Sequence, residues 1–108
     1  MKKIFLFLFS SIVIISCKKS DSIPACIQSA INANKNNPNW DVQEIDEYLF
    51  QNKIVYRFIG HREVDALDEI KSTDCSTLCA IGGIGNIMKC NGENFDSVAV
   101  FKRIIWKK

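Results

Sequence analysis

Four cysteines, Cys26, Cys75, Cys79 and Cys90, constrain this chain more tightly than any other feature, because a domain this small folds differently according to whether they are cross-linked. The first seventeen residues decide that question. Lys2 and Lys3 make a basic start, residues 4–15 are an almost unbroken apolar run, and Ser16 precedes a fifth cysteine, Cys17. A run of about 12 apolar residues suits the h-region of a secretory signal, whereas a membrane-spanning helix needs roughly 20. An exported chain enters an oxidising compartment, where an even set of cysteines is expected to form disulfides.

The tetrapeptide Ile14-Ile15-Ser16-Cys17 resembles the lipobox of bacterial lipoproteins. That resemblance implies cleavage before Cys17 and acylation of Cys17 on both its thiol and its new amino group. More than one acyl chain gives stable attachment, since each buried methylene contributes about 0.8 kcal/mol and one myristoyl chain is marginal. The expected organisation is a signal over residues 1–16, a lipidated tether over 17–22 and one α+β domain over 23–108.

Processing removes Lys2 and Lys3, so the 14 basic residues fall to 12, equal to the acidic count, and the formal charge drops from +2 to zero. With no net field and no basic run beyond Lys18 and Lys19, the chain lacks the electrostatic footprint of a nucleic-acid binder. A domain of this size buries only about 60 to 65 per cent of its unfolded surface and benefits from covalent help. Four cysteines permit three pairings. The expected one joins Cys79 to Cys90, closing a Gly-rich segment, and Cys26 to Cys75, tying the N-terminal helix to the sheet. Loop-closure entropy assigns about 3 kcal/mol to the short loop and about 4 to the long one.

Ile23, Ile27, Ala30 and Ile31 form a helical apolar stripe, with Ser22 as the expected N-cap and Pro24 in the first turn. Pro38 ends the helix and residues 36–39 form a turn. From Val42 the period becomes two: Tyr48 and Phe50 are expected to share a face with Val42, and Ile54, Tyr56 and Phe58 to line one face of a second strand, with a turn at Gln51, Asn52 and Lys53. Tyr48, Phe50, Tyr56 and Phe58 are then expected as a cross-strand ladder. Residues 61–70 are charge-rich and read as a surface excursion with a helical turn at 64–67. Residues 77–81 read as a strand, Gly82, Gly83 and Gly85 as a tight turn, Asn91-Gly92 as another, residues 95–97 as one helical turn and 98–106 as a terminal strand. One helix on an antiparallel sheet of about four strands follows, with the second sheet face left for water or a partner.

The segments Glu44-Ile45-Asp46-Glu47-Tyr48-Leu49-Phe50, Val55-Tyr56, Cys79-Ala80-Ile81-Gly82-Gly83-Ile84, Cys90 and Ile105-Trp106 together resemble a family of small Bacteroidota lipoproteins classed as a domain of unknown function. The family pattern is an E-Y-x-Y hairpin, a C-x-P-x-G-G-I segment, a later cysteine and an I-W ending. This chain departs from it in lacking the proline, in a shorter stretch before Cys90 and in having Cys75 where the family has an adjacent cysteine pair. The resemblance carries no known activity. It implies an outer-membrane lipoprotein, periplasm-facing because Lys18-Lys19-Ser20-Asp21 is not the acid-rich segment that surface-exported relatives bear.

Little in the sequence argues for catalysis. Cys75 and Cys79 have three intervening residues rather than two and lack a surrounding βαβ pattern, so a thiol-disulfide oxidoreductase ranks third among the functional readings. His61 is the sole histidine, and with the cysteines it matches no zinc-ligand spacing, so no metal or cofactor is expected. The 82–86 turn lacks the Lys-Ser/Thr of a phosphate-binding loop. The leading expectation is a non-catalytic module binding an envelope protein, peptide or glycan, with Trp40, Trp106, Tyr48, Tyr56 and Gly83 as candidate contacts. The second is an inhibitor or immunity-type protein that presents the 82–86 loop, closed off by Cys79 and Cys90.

Overall fold

The computed structural model describes residues 22–60 and 66–108. The expected signal, Cys17, residues 18–21 of the expected tether, His61 and residues 64–65 of the expected helical turn lie outside the described residues. The chain runs α1 (Ala25–Asn34), β1 (Glu44–Phe50), β2 (Lys53–Ile59), β3 (Leu67–Lys71), β4 (Thr77–Gly82), β5 (Lys89–Cys90), β6 (Glu93–Asn94), α2 (Phe95–Val98) and β7 (Val100–Lys107). Five strands form one antiparallel sheet in the order β4-β3-β2-β1-β7, and β5 and β6 form a separate hairpin. The class is the expected α+β, with five sheet strands rather than four.

The helix begins later than Ser22. Pro24 is the N-cap, at φ −54° and ψ 143°. A residue before proline is steered out of the helical region, so Ile23 stays extended and Ser22 cannot cap. Ile27 and Ile31, both buried, lay α1 across Ile45, Tyr56 and Phe58 of the sheet. Trp40, Val42, Ile54, Ile105 and Trp106 pack at the margin of this layer.

The β1–β2 turn places Gln51 at φ 52° and Asn52 at φ 65°, the type I′ geometry whose twist matches the flanking strands. This two-residue turn corrects the expected aromatic ladder. It pairs Phe50 with Lys53, so Tyr48 stands opposite Val55 and Tyr56 opposite Glu47. Tyr56 and Phe58 therefore lie on the α1 face, whereas Tyr48 and Phe50 lie on the other. Val42 precedes β1 and packs with the α1 layer, not with Tyr48 and Phe50.

The second face is covered as well. Residues 88–99 fold over it and bury Cys90 and Phe95 against Phe50, Val55, Ile70 and Ile81. Phe95 is the keystone: its ring centroid lies 4.9 Å from that of Phe50 and 5.0 Å from that of Tyr48, and the Arg57 guanidinium stands 5.9 Å from it. The expected single helical turn forms as α2, capped by Asn94, whose side chain accepts from the Ser97 amide at 3.1 Å. The sheet thus sits between two apolar layers, and the second face is not free for water.

β3 takes up residues 67–70 of the expected surface excursion together with Lys71. Only Ile70 is buried in this strand. An ion pair supports its register: Arg57 Nε donates to Asp68 Oδ2 at 2.9 Å, while Nη1 reaches Asp96 at 3.1 Å and so joins β2 to β3 and α2. The terminal strand is present, but register shifts opposite Ile45/Asp46 and Glu47/Tyr48 break the simple alternation expected for it.

Candidate functional site

Three turns meet at the end of the sheet where β1 hands over to β2. They are the Gln51-Asn52 turn, the loop at residues 72–76 and the Asn91-Gly92 turn of the β5–β6 hairpin. Of the five non-glycine residues with positive φ among the described residues, four belong to these turns: Gln51, Asn52, Cys75 at 71° and Asn91 at 49°. Such a backbone costs energy for residues with a Cβ and is held only where surroundings enforce it.

Here the surroundings are covalent and polar. Cys26–Cys75 ties the 72–76 loop to the first turn of α1, and Cys79–Cys90 ties β4 to the β5–β6 hairpin. Both disulfides match the expected pairing. Gln51 Nε2 donates to the Asn91 carbonyl at 3.2 Å and to Glu93 Oε1 at 2.8 Å, and Asn91 Nδ2 returns a bond to Gln51 Oε1 at 2.6 Å. In the 72–76 loop, Asp74 accepts from the Ser72 hydroxyl at 2.6 Å, the Ser76 hydroxyl at 2.7 Å and the Ser76 amide at 3.0 Å. The hydroxyl bonds from Ser72 and Ser76 hold its carboxyl down at about 2.

Between these turns lies a cleft of about 650 Å³. Buried Phe50 and Val55, with Ile54 and exposed Leu78, supply its apolar lining. Gln51, Lys53, Ser72, Thr73, Ser76 and Asn91 supply the polar lining. A second cleft of about 550 Å³ shares Ile54 and Thr73 with the first and continues past Ser22, Pro24, Tyr56 and Lys102 to Glu47. Glu47 is buried and neutralised: it accepts from Tyr56 Oη at 2.8 Å and from Arg103 Nε at 2.6 Å, and Arg103 Nη2 also donates to the Ser22 carbonyl at 3.1 Å. Burial, with Glu47 beside it, pushes the Tyr56 hydroxyl above its ordinary pKa.

The residues singled out from the sequence do not line these clefts as a group. Trp40 and Trp106 stack on each other, 5.1 Å between centroids, at the far end of β1, where Trp106 pairs with Ile45. Tyr48 meets Phe95 and Phe101 edge-on. Tyr56 is buried with its hydroxyl spent on Glu47, though it borders the second cleft. Gly83, at φ 76°, sits in a turn closed by the Gly82–Ile87 bridge, at the end of β4 remote from the cleft. Ile84 is 75% exposed in that turn.

Cys75 and Cys79 are not partners of one another, each being committed to a separate disulfide. Among the described residues no group of three or more His, Cys, Asp and Glu side chains is placed to hold a metal ion. On the second face Asp46 is buried opposite Arg57, its Oδ1 without a partner among the described residues. Burial first, then the neighbouring Glu44, pushes its carboxyl up to about 7 against the pull of Arg57 and Lys107.

Sequence reasoning missed the groove because its walls come from turns far apart in the chain. The available signal was that each wall lies beside a disulfide cysteine: the 72–76 loop contains Cys75, Leu78 adjoins Cys79 and Asn91 adjoins Cys90.

Fold and groove together define a small α+β domain with a concave surface bordered by cross-linked turns. The chain belongs to the family described as Domain of unknown function (DUF6970), whose model matches residues 30–108. No curated protein and no solved structure matches it.

Proposed function

We propose that this chain is an exported lipoprotein anchored through Cys17, and that its domain is a non-catalytic module that holds an envelope protein, peptide or glycan in the groove at its cross-linked end. The convergence of both disulfides and three turns on one cleft is the observation that carries this reading. Cross-links and left-handed residues spent on a single concavity preorganise it, which lowers the entropic cost of taking up a ligand. The basic start, apolar run and Ser16-Cys17 junction support export and acylation; the non-acidic Lys18-Lys19-Ser20-Asp21 segment supports the periplasmic face of the outer membrane.

The inhibitor reading retains one observation in its favour, the exposed Ile84 at the tip of a hydrogen-bonded turn. Paired substitutions separate the two. Leu78→Arg and Ile84→Arg each alter an exposed side chain, and both variants should fold. Capture from solubilised envelopes that survives Ile84→Arg and is lost with Leu78→Arg supports the groove. The reverse pattern, with a hydrolase recovered, supports the loop. Protease shaving of intact cells tests the facing, since cleavage of the domain on unbroken cells contradicts a periplasmic location.

A further inference from the structure

We propose that the Arg57 guanidinium is shared between Asp96 and Asp46, and that the proton on Asp46 decides which carboxylate holds it, so that losing this proton releases Asp96 and with it α2. The device lies on the second face of the sheet and stands apart from the binding reading. It consists of one cation among three carboxylates. Asp46 of β1 is directly opposite Arg57 of β2, so the two side chains leave the same face as neighbours. Arg57 nevertheless bonds elsewhere: Nε donates to Asp68 Oδ2 of β3 at 2.9 Å and Nη1 to Asp96 Oδ1 of α2 at 3.1 Å.

Asp46 itself is 6% exposed, and its Oδ1 has no partner among the described residues. A carboxyl so placed is tolerated while it carries a proton, and burial together with the nearby Glu44 keeps the proton on up to about 7. Lys107 is a further charged neighbour, but in the β1–β7 register it stands opposite Glu44, and Ile104 is the residue opposite Asp46. Tyr48, the next residue of β1 on that face, keeps its hydroxyl proton through this range, since burial raises it above its ordinary value. Once Asp46 is ionised, Arg57 is therefore the cross-strand cation that answers a buried negative charge.

Arg57 cannot serve three ionised carboxylates equally. The Asp68 side chain is 17% exposed and that of Asp96 52%. An exposed carboxylate regains water when it lets go, whereas a buried one has nothing to replace the lost partner, so Asp96 is the one that yields. Asp96 lies in α2, four residues long, whose start is fixed by the buried Phe95 ring. Cys79–Cys90 and Phe95 keep the rest of the 88–99 cover in place, and the change is confined to residues 96–98. One proton leaves Asp46 for solvent and no covalent bond changes.

The test is a double-mutant cycle read by urea denaturation of the full chain at low ionic strength, at about pH 5.5 and about pH 8.5, on either side of the Asp46 titration. At the lower pH, Asp96→Asn should reduce the folding equilibrium constant about fivefold, the size of one half-exposed ion pair. At the higher pH the same substitution should reduce it less than about twofold, because Asp96 has already lost Arg57. In an Asp46→Asn background, where position 46 stays uncharged, Asp96→Asn should cost about fivefold at both pH values. Both substitutions should fold, since Asp96 is half-exposed and asparagine has the shape of the protonated acid. His61, the sole histidine, titrates in the same range, and the Asp46→Asn background separates its effect. An Asp96→Asn cost equal at both pH values in the chain that retains Asp46 overturns the proposal. So does a pH-dependent cost that persists in the Asp46→Asn background, which assigns the effect to His61 or another group, and so does the absence of any cost at the lower pH.

Discussion

Removing the cross-links one at a time should show how much of this fold they hold. Cys26–Cys75 closes a sequence separation of 49 and Cys79–Cys90 one of 11. Loop-closure entropy then gives about 4 kcal/mol for the first and about 3 for the second. The loops do not overlap in sequence, so the two contributions add to about 7 kcal/mol. A domain of this length has a total stability of about 4 to 13 kcal/mol at the usual per-residue range. Cys26→Ala/Cys75→Ala should therefore leave a folded but weakened chain, Cys79→Ala/Cys90→Ala a slightly stronger one, and the fourfold variant a largely unfolded one at 37 °C. In guanidinium chloride, with a slope of about 2 kcal/mol per molar, the midpoints should fall by about 2 M and about 1.5 M for the two pairs. Far-UV circular dichroism follows the transition. A shift under about 0.5 M for both pairs, or a fourfold variant that still melts cooperatively near the parent midpoint, would refute the assignment of the cross-links as the main support of the fold.

Three further outcomes follow from particular residues. Phe95→Ala should cost about 3 to 5 kcal/mol, since a ring enclosed by Phe50, Tyr48 and Arg57 is lost from the layer over the second face, and a smaller cost in chemical denaturation would mean that layer is not packed as described. Asp46, raised from 3.8 to about 7 with Glu44, Arg57 and Lys107 facing it, is protonated in the folded chain across a range where the unfolded chain has released its proton, so stability should fall as pH rises between those values and level off above; Asp46→Asn should flatten that slope, and a slope unchanged by the substitution counts against the assignment. Tyr56→Phe should cost about 1 to 3 kcal/mol by removing the hydroxyl that donates to buried Glu47, measured as a midpoint shift at constant slope.

Much of the architecture was legible because it rests on local chemistry. The Ile27 and Ile31 stripe, the Asn at the β1–β2 turn and the Asn91-Gly92 pair each announce their conformation without help from distant parts of the chain. β3 was not legible: with Ile70 as its sole buried residue it carries almost no periodic signal, and its place depends on Asp68 meeting Arg57 from another strand. The split of Tyr48 and Phe50 from Tyr56 and Phe58 turned on turn length, since one residue more or less reverses every face. The burial of the second face by residues 88–99 is likewise a long-range event, governed by Phe95 fitting a cavity that only the assembled sheet creates. The groove compounds these difficulties, because Lys53, Thr73 and Asn91 become neighbours only after all of them have happened.

Export and oxidation, on which the cross-linked groove depends, are tested most directly by a non-reducing peptide map of the protein recovered from membranes. It should show an acylated peptide beginning at Cys17, and two linked pairs joining Cys26 to Cys75 and Cys79 to Cys90. An unacylated chain that retains residues 1–16, or four cysteines that react freely with alkylating reagent, contradicts it.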